Sequence, residues 1–297
     1  MKFNEKNIKA KNSNIEIKKQ NEGNRDNNID LIYNRKITIK VIKKYLKLLI
    51  LIFSIIYILY PLFLYKEKKS KFRKLESRPS EIIITLNTTG TQQFINNLNP
   101  LPNQIIINGT EVTVIESKGN LLYNFEYGDT IIIVRWYNAQ LTNCYYMFGN
   151  LRYIKKIDLS NFDSSKVTNT RHMFFQCQNL IELNLNNFKT SLIEDMYGMF
   201  SGCNAMTSFN LSHFVTSKVK DMEDLFAYDF ELLSIDLSSF DTSLVTSMKH
   251  MFMFCAKLTS LDLSGFNTTS VKGVNAMFKS CEQLTSINIM NIDTSNI

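Results

Sequence analysis

The sequence predicts a repeat solenoid preceded by a β-rich cap, and three observations carry that expectation. The pair Met-Phe recurs at Met147/Phe148, Met173/Phe174, Met199/Phe200, Met251/Phe252 and Met277/Phe278, with Leu225/Phe226 in the remaining slot, always 26 residues apart. Other columns keep the same register: Cys177, Cys203, Cys255 and Cys281, then apolar triplets such as Leu258, Leu261 and Leu263, then Phe162, Phe188, Phe214, Phe240 and Phe266 with Ile292 last. Residues 81–143 ignore this period and alternate β-branched runs with turn residues. A period in the twenties marks units too small to bury their own apolar face, which do so by stacking.

Taken in order, residues 1–44 read as a disordered basic cytoplasmic tail, because scattered single apolar residues cannot offset the entropy of ordering. Leu48–Tyr65 holds 18 residues without a charge. As a helix that run spans roughly 27 Å, close to the hydrocarbon thickness of a bilayer. It predicts one transmembrane signal anchor over 45–65, with tyrosines suited to the interfaces. The polar stretch ahead of it is too long for a cleaved leader. Residues 66–80 form a basic stalk ending near Pro79. In 81–143 the candidate strands are Glu81–Leu86, Gln104–Asn108, Glu111–Glu116, Leu121–Glu126 and Thr130–Trp136. Asn108-Gly109 gives a two-residue hairpin signal, and this β-rich cap covers the first raw end of the repeats at 144–297.

The charge is unevenly placed. Residues 1–80 carry 20 of the 34 Lys/Arg and 7 of the 27 Asp/Glu, which leaves 81–297 with a net charge of −6. A mildly acidic folded part argues against nucleic acid as the partner.

Within one repeat, Leu258, Leu261 and Leu263 follow the L-x-x-L-x-L pattern of leucine-rich repeats, in which one short strand lines each coil. Leu261 and Leu263 share the inner face while Asp262 points outward. Asn267, Thr268 and Thr269 supply turn and helix N-cap oxygens. Val271, Val274 and Met277 step three apart, which predicts a 3₁₀ or short helical turn on the far side. The fold class expected is therefore a leucine-rich-repeat solenoid of about six units, the last incomplete, with a β-rich N-terminal cap and one transmembrane helix.

Residues 251–271 read Met-Phe-Met-Phe-Cys-Ala-Lys-Leu-Thr-Ser-Leu-Asp-Leu-Ser-Gly-Phe-Asn-Thr-Thr-Ser-Val. This motif resembles the BspA-like leucine-rich repeat of bacterial and protist surface proteins, over about half the chain. Leu151 and Asp229 depart from it in the Cys column, and Leu225 in the Met column. The resemblance implies a cell-surface protein concerned with adhesion or recognition and no catalytic residues. It also favours a single-pass topology with the N-terminus inside and the repeats outside, since Lys and Arg are nearly balanced on the two flanks of the apolar run.

Candidate residues follow from the columns. Asp158, Asn184, Asn210, Asp236, Asp262 and Asn288, with Ser208, Ser234, Ser260 and Ser286 beside them, form the outward strand face where a stacked-repeat protein would bind a partner. Each alone reads first as a solvated polar position. Cys177, Cys203, Cys255 and Cys281 read as buried thiols packing as small hydrophobes. They lie along a line, unlike a tetrahedral metal site. Asn87, Asn108, Asn210 and Asn267 begin glycosylation triplets. His172 and His250 share a permissive, exposed-looking column. No catalytic, metal or cofactor constellation stands out.

The function expected is non-catalytic recognition or adhesion of a protein or glycan outside the cell. The alternatives are a structural, self-associating envelope protein and, third, a membrane-anchored secretory-pathway enzyme. The stop at Asn296-Ile297 falls midway through a repeat, which predicts a truncated product or an end covered by another molecule.

Overall fold

The computed structural model describes residues 44, 79–126, 128–290 and 292. The expected anchor over 45–65, the tail and most of the stalk lie outside them. Among the described residues no helix is long and apolar enough to cross a membrane. The single-pass anchor and the inside–outside placement built on it are withdrawn accordingly.

Burial alternates along β1 (Ser80–Asn87), so Ile82, Ile84 and Leu86 face the core. β7 (Asp129–Trp136) repeats this with Thr130, Ile132, Val134 and Trp136 inward, and the two run antiparallel with Ile84 opposite Ile132. β3 (Gln104–Ile107) and β4 (Thr110–Glu111) form the expected hairpin. Asn108 and Gly109 at φ 48° and 83° make a turn whose twist matches the strands. The expected strand 111–116 is broken, its end becoming β5 (Ile115–Ser117), which pairs with β6 (Asn120–Phe125). β2 (Gly90–Ile95) completes that small sheet. It was not anticipated, because Thr91, Gln92 and Gln93 carry no apolar signal.

The expected leucine-rich-repeat solenoid is not the fold that forms, and three features set the structure apart from it. First, the sheets are mixed. β1 also pairs antiparallel with β8 (Ile154–Asp158), and β8 pairs in parallel with β9 (Glu182–Asn184), giving one sheet in the order β4-β3-β7-β1-β8-β9. The β-rich segment and the first repeats thus share a sheet. Second, the strand lining each coil is interrupted. Among the described residues after β9, only β10 (Ser260–Asp262) and β11 (Ser286–Asn288) form, paired in parallel. Phe209 stands where other repeats carry Ile or Leu, and its ring lies 4.8 Å from Phe200 and 5.7 Å from Phe226. The rung carrying Ile235 at the same position forms no strand either.

Third, from residue 79 onward the described residues hold no α-helix and no 3₁₀ helix. Two left-handed positions four residues apart explain this. Tyr146, His172, Gly198, Asp224, His250 and Ala276 have φ between 54° and 57°, and Asn150, Gln176, Gly202, Tyr228, Phe254 and Ser280 between 56° and 77°. A right-handed helical turn cannot pass through two such residues, so each rung is built of tight turns.

The repeat period nonetheless sets the stacking. Isolated parallel bridges join Asn143, Asn169, Asp195, Asp221, Ser247 and Gly273 in succession. Backbone N–H groups of one rung donate to carbonyls of the next, as from Phe174 to Met199 and Gln176 to Ser201. Inside, Phe148, Phe174, Phe200, Phe226, Phe252 and Phe278 form a near-parallel file with centroids 5.6–6.0 Å apart. Trp136 closes a second file edge-on against Phe162 at 6.1 Å.

The buried hydroxyls correct another expectation. Asn267, Thr268 and Thr269 were expected to supply helix N-cap oxygens, and Thr190, Thr216 and Thr242 occupy the Thr268 position in the three preceding rungs. Instead each hydroxyl donates to a carbonyl 25 residues on and accepts the N–H of the same residue: Val215, Asp241 and Asn267 respectively.

The first rung has no rung before it, and its carbonyls are met by asparagines. Asn96 donates its N–H to Met147 O at 2.8 Å, and its amide to Tyr146 O and Gly149 O at 2.9 and 3.0 Å. Asn97 Nδ2 reaches Tyr145 O at 3.3 Å. The bonds to Tyr145, Met147 and Gly149 stand in for the N–H groups that a preceding rung would present.

Candidate functional site

The outward column is a row of turn-closing groups. Asp158, Asn184, Asp236, Asp262 and Asn288 each accept, through Oδ1, the backbone N–H two residues on, at 2.8–3.3 Å. Asn210 Oδ1 accepts from the Ser212 hydroxyl at 3.0 Å. Asp158 and Asn184 are half-buried and the other four exposed, as are Ser208, Ser234, Ser260 and Ser286. Bonds from the Ser238 backbone and hydroxyl hold the Asp236 carboxyl below the usual carboxylate range, and the Ser264 hydroxyl and backbone do so for Asp262. The row is therefore fixed in place but only partly free to meet a ligand.

Beside Asn210 the surface opens into a groove of about 510 Å³. Asn186, Asn187, Ser212 and His213 line it together with Lys189 and Val215. Amides, a hydroxyl, an imidazole and an ammonium thus surround an exposed isopropyl group, a mixture that can hydrogen-bond and cover a polar ligand. Of the predicted face, only Asn210 lines this groove. The sequence missed the remainder because they belong to the turn after the strand.

Burial holds the thiols of this column in their neutral form. Cys177, Cys203 and Cys255 are buried, Cys281 half-buried, and all are free. Each Sγ donates to the carbonyl of a Phe one rung back: Phe148, Phe174, Phe226 and Phe252, at 3.0–3.4 Å. Burial pushes all four thiols up, away from the reactive thiolate. Asp229 occupies the missing place in this column, fully buried. Its Oδ1 accepts the Cys203 N–H at 2.7 Å while Oδ2 has no partner. Burial raises its carboxyl well above the usual range.

The glycosylation triplets start at exposed asparagines. Asn87 Nδ2 donates to Asp129 Oδ1 at 2.6 Å, Asn108 Oδ1 accepts from Ile131 N, and Asn267 Oδ1 from Thr269 N.

A second cluster, unread in the sequence, lies along the bridge column. Asn143, Asn169, Asp195 and Asp221 each accept the N–H two residues on, at 2.8–2.9 Å. Arg171 lies over the Tyr197 ring at 3.8 Å and 3.7 Å from the Asp195 carboxylate. Burial and then the hydroxyl's bond to Asp224 push Tyr197 up to about 12. Burial, with Asp195 and Glu223 nearby, raises Asp221. His250 Nδ1 is 3.3 Å from Asp224 Oδ1, and Ser247 Oγ is 2.9 Å from Glu223 Oε2. His172, expected to be exposed, is half-buried, and burial lowers its pKa. His172 and His250 are thus structured groups and not permissive surface.

A family profile described as "Mycoplasma protein of unknown function, DUF285" matches residues 142–232 and 205–297, together just over half of the chain. This corrects the resemblance to the BspA-like leucine-rich repeat family: the repeat columns fall within the matched segments. No curated protein and no solved structure matches the chain.

Proposed function

We propose that this chain, which belongs to the DUF285 family of Mycoplasma proteins of unknown function, is a non-catalytic recognition protein that binds a polar protein or glycan partner. The observation that carries the reading is the groove lined by Asn186, Asn187, Asn210, Ser212 and His213. Its donors and acceptors are set on turns whose backbone is tied to the neighbouring rungs, so little side-chain ordering is needed on binding. An open groove of this kind suits an extended sugar or peptide better than an enclosed small molecule.

The test is binding of the purified chain to a glycan array and to extracellular-matrix and cell-surface protein preparations. His213→Ala with Asn187→Ala is expected to weaken a hit by at least about tenfold, the loss of one to two hydrogen bonds. Charge reversal at Asp236 and Asp262 tests whether the partner extends over the adjacent rungs. Binding unchanged by both sets of substitutions would remove this face from the reading. Concentration-dependent light scattering without any bound partner would favour self-association instead.

A further inference from the structure

We propose that Glu223, Asp224 and His250 form a binding site for a divalent first-row transition-metal ion, zinc foremost, that clips two successive rungs together. Their ligand atoms all lie within 4.8 Å of one another, and all three residues are half-buried. Glu223 and Asp224 belong to one rung and His250 to the next, so a shared ion would cross-link the stack from outside. The separation of His250 Nδ1 and Asp224 Oδ1 is 3.3 Å. Two ligands bound about 2.0–2.1 Å from one tetrahedral ion stand about 3.3–3.4 Å apart, so this pair already has the required spacing.

The surroundings favour such an ion. Ser247 Oγ holds Glu223 Oε2 at 2.9 Å, and the Tyr197 hydroxyl is bonded to Asp224, so both carboxylates have outer partners that aim them. Asp221 stands in the same rung as Glu223 and Asp224 and Asp195 in the rung before it, while Arg171 is engaged by Asp195 and the Tyr197 ring. Negative charge is therefore concentrated around the three ligands. One imidazole nitrogen and two carboxylate oxygens suit zinc, cobalt or nickel. Calcium and magnesium prefer sites made wholly of oxygen. Partial exposure leaves the fourth position to water.

The test uses the chelator-treated full chain, titrated with zinc by calorimetry and with cobalt by absorption spectroscopy. One ion per chain is expected, with cobalt giving visible bands of tetrahedral intensity and zinc raising the thermal midpoint. His250→Gly should lower zinc affinity by more than about 100-fold, since loss of an outer partner alone costs about 10–100-fold. Position 250 has φ 55°, where glycine is unstrained, so this variant should fold at least as well as the parent without metal. Glu223→Gln, which keeps an acceptor for Ser247, provides a second variant and should weaken binding similarly. Absence of zinc binding at millimolar concentration would overturn the proposal. So would zinc affinity in both variants equal to that of the parent, which would leave His250 and Asp224 as a hydrogen-bonded pair only.

Discussion

Replacing Asp229 by Asn should stabilise the protein at neutral pH and change the pH dependence of its stability. Asp229 is fully buried, its Oδ1 holds the Cys203 N–H at 2.7 Å, and its Oδ2 has no partner. In the four cysteine rungs the group at this position donates to a Phe carbonyl 29 residues earlier; for Asp229 the equivalent carbonyl is that of Phe200. An ionised carboxylate has no proton to give, whereas a carboxamide keeps the acceptor and adds a donor. An unsatisfied buried polar atom costs about 1–3 kcal/mol.

Protonation adds a pH-dependent part. Burial raises the carboxyl in the folded state, so the fold holds a proton that the unfolded chain releases near about pH 3.9. The stability tied to this proton is full below that pH. It falls by about 1.4 kcal/mol per pH unit until the folded-state pKa is passed. Asp163, Asp236 and Asp262, whose carboxyls are held low by hydrogen bonds, give the opposite trend, so the informative quantity is the difference between parent and variant. Urea unfolding at a series of pH values between about 5 and about 8 measures it. The advantage of Asp229→Asn should grow with pH and appear in thermal scans as about 2–4 °C per kcal/mol. Parallel curves, or a variant less stable than the parent at neutral pH, would refute the reasoning.

Two further outcomes follow from the ladders. Asn96→Ala removes the side-chain donor of the Gly149 carbonyl and one of two donors to the Tyr146 carbonyl, which keeps the Gly149 N–H, and should cost about 1–3 kcal/mol in chemical denaturation, with hydrogen exchange rising first around residues 145–150. Maleimide labelling of the native chain followed by peptide mass mapping should modify half-buried Cys281 ahead of Cys177, Cys203 and Cys255, whose thiols are buried and pushed up.

The inward columns could be read from the sequence because apolar residues recur at one spacing whatever the backbone does between them. Phe174, Phe200 and Phe226 are buried and stacked on that account. The backbone itself was not legible. Val271, Val274 and Met277 repeat at three like a helical turn, yet Ala276 and Ser280 beside them are left-handed, a state usually announced by glycine. The Asp262 column was seen as a face, but its use in closing turns depends on a backbone N–H that no residue type reveals. The clamp from Asn96 joins positions fifty residues apart, and Glu223 and His250 meet only because two different columns lie side by side.

The reciprocal bonds of Thr190, Thr216 and Thr242 make three successive joints between neighbours chemically the same. Lengthening or shortening the protein by one whole unit would therefore leave the surviving junctions with their original partners. A change of any other size would shift hydroxyls, thiols and aromatic rings out of step together. Such a molecule can grow or shrink by duplication while each retained surface loop stays free to vary its chemistry.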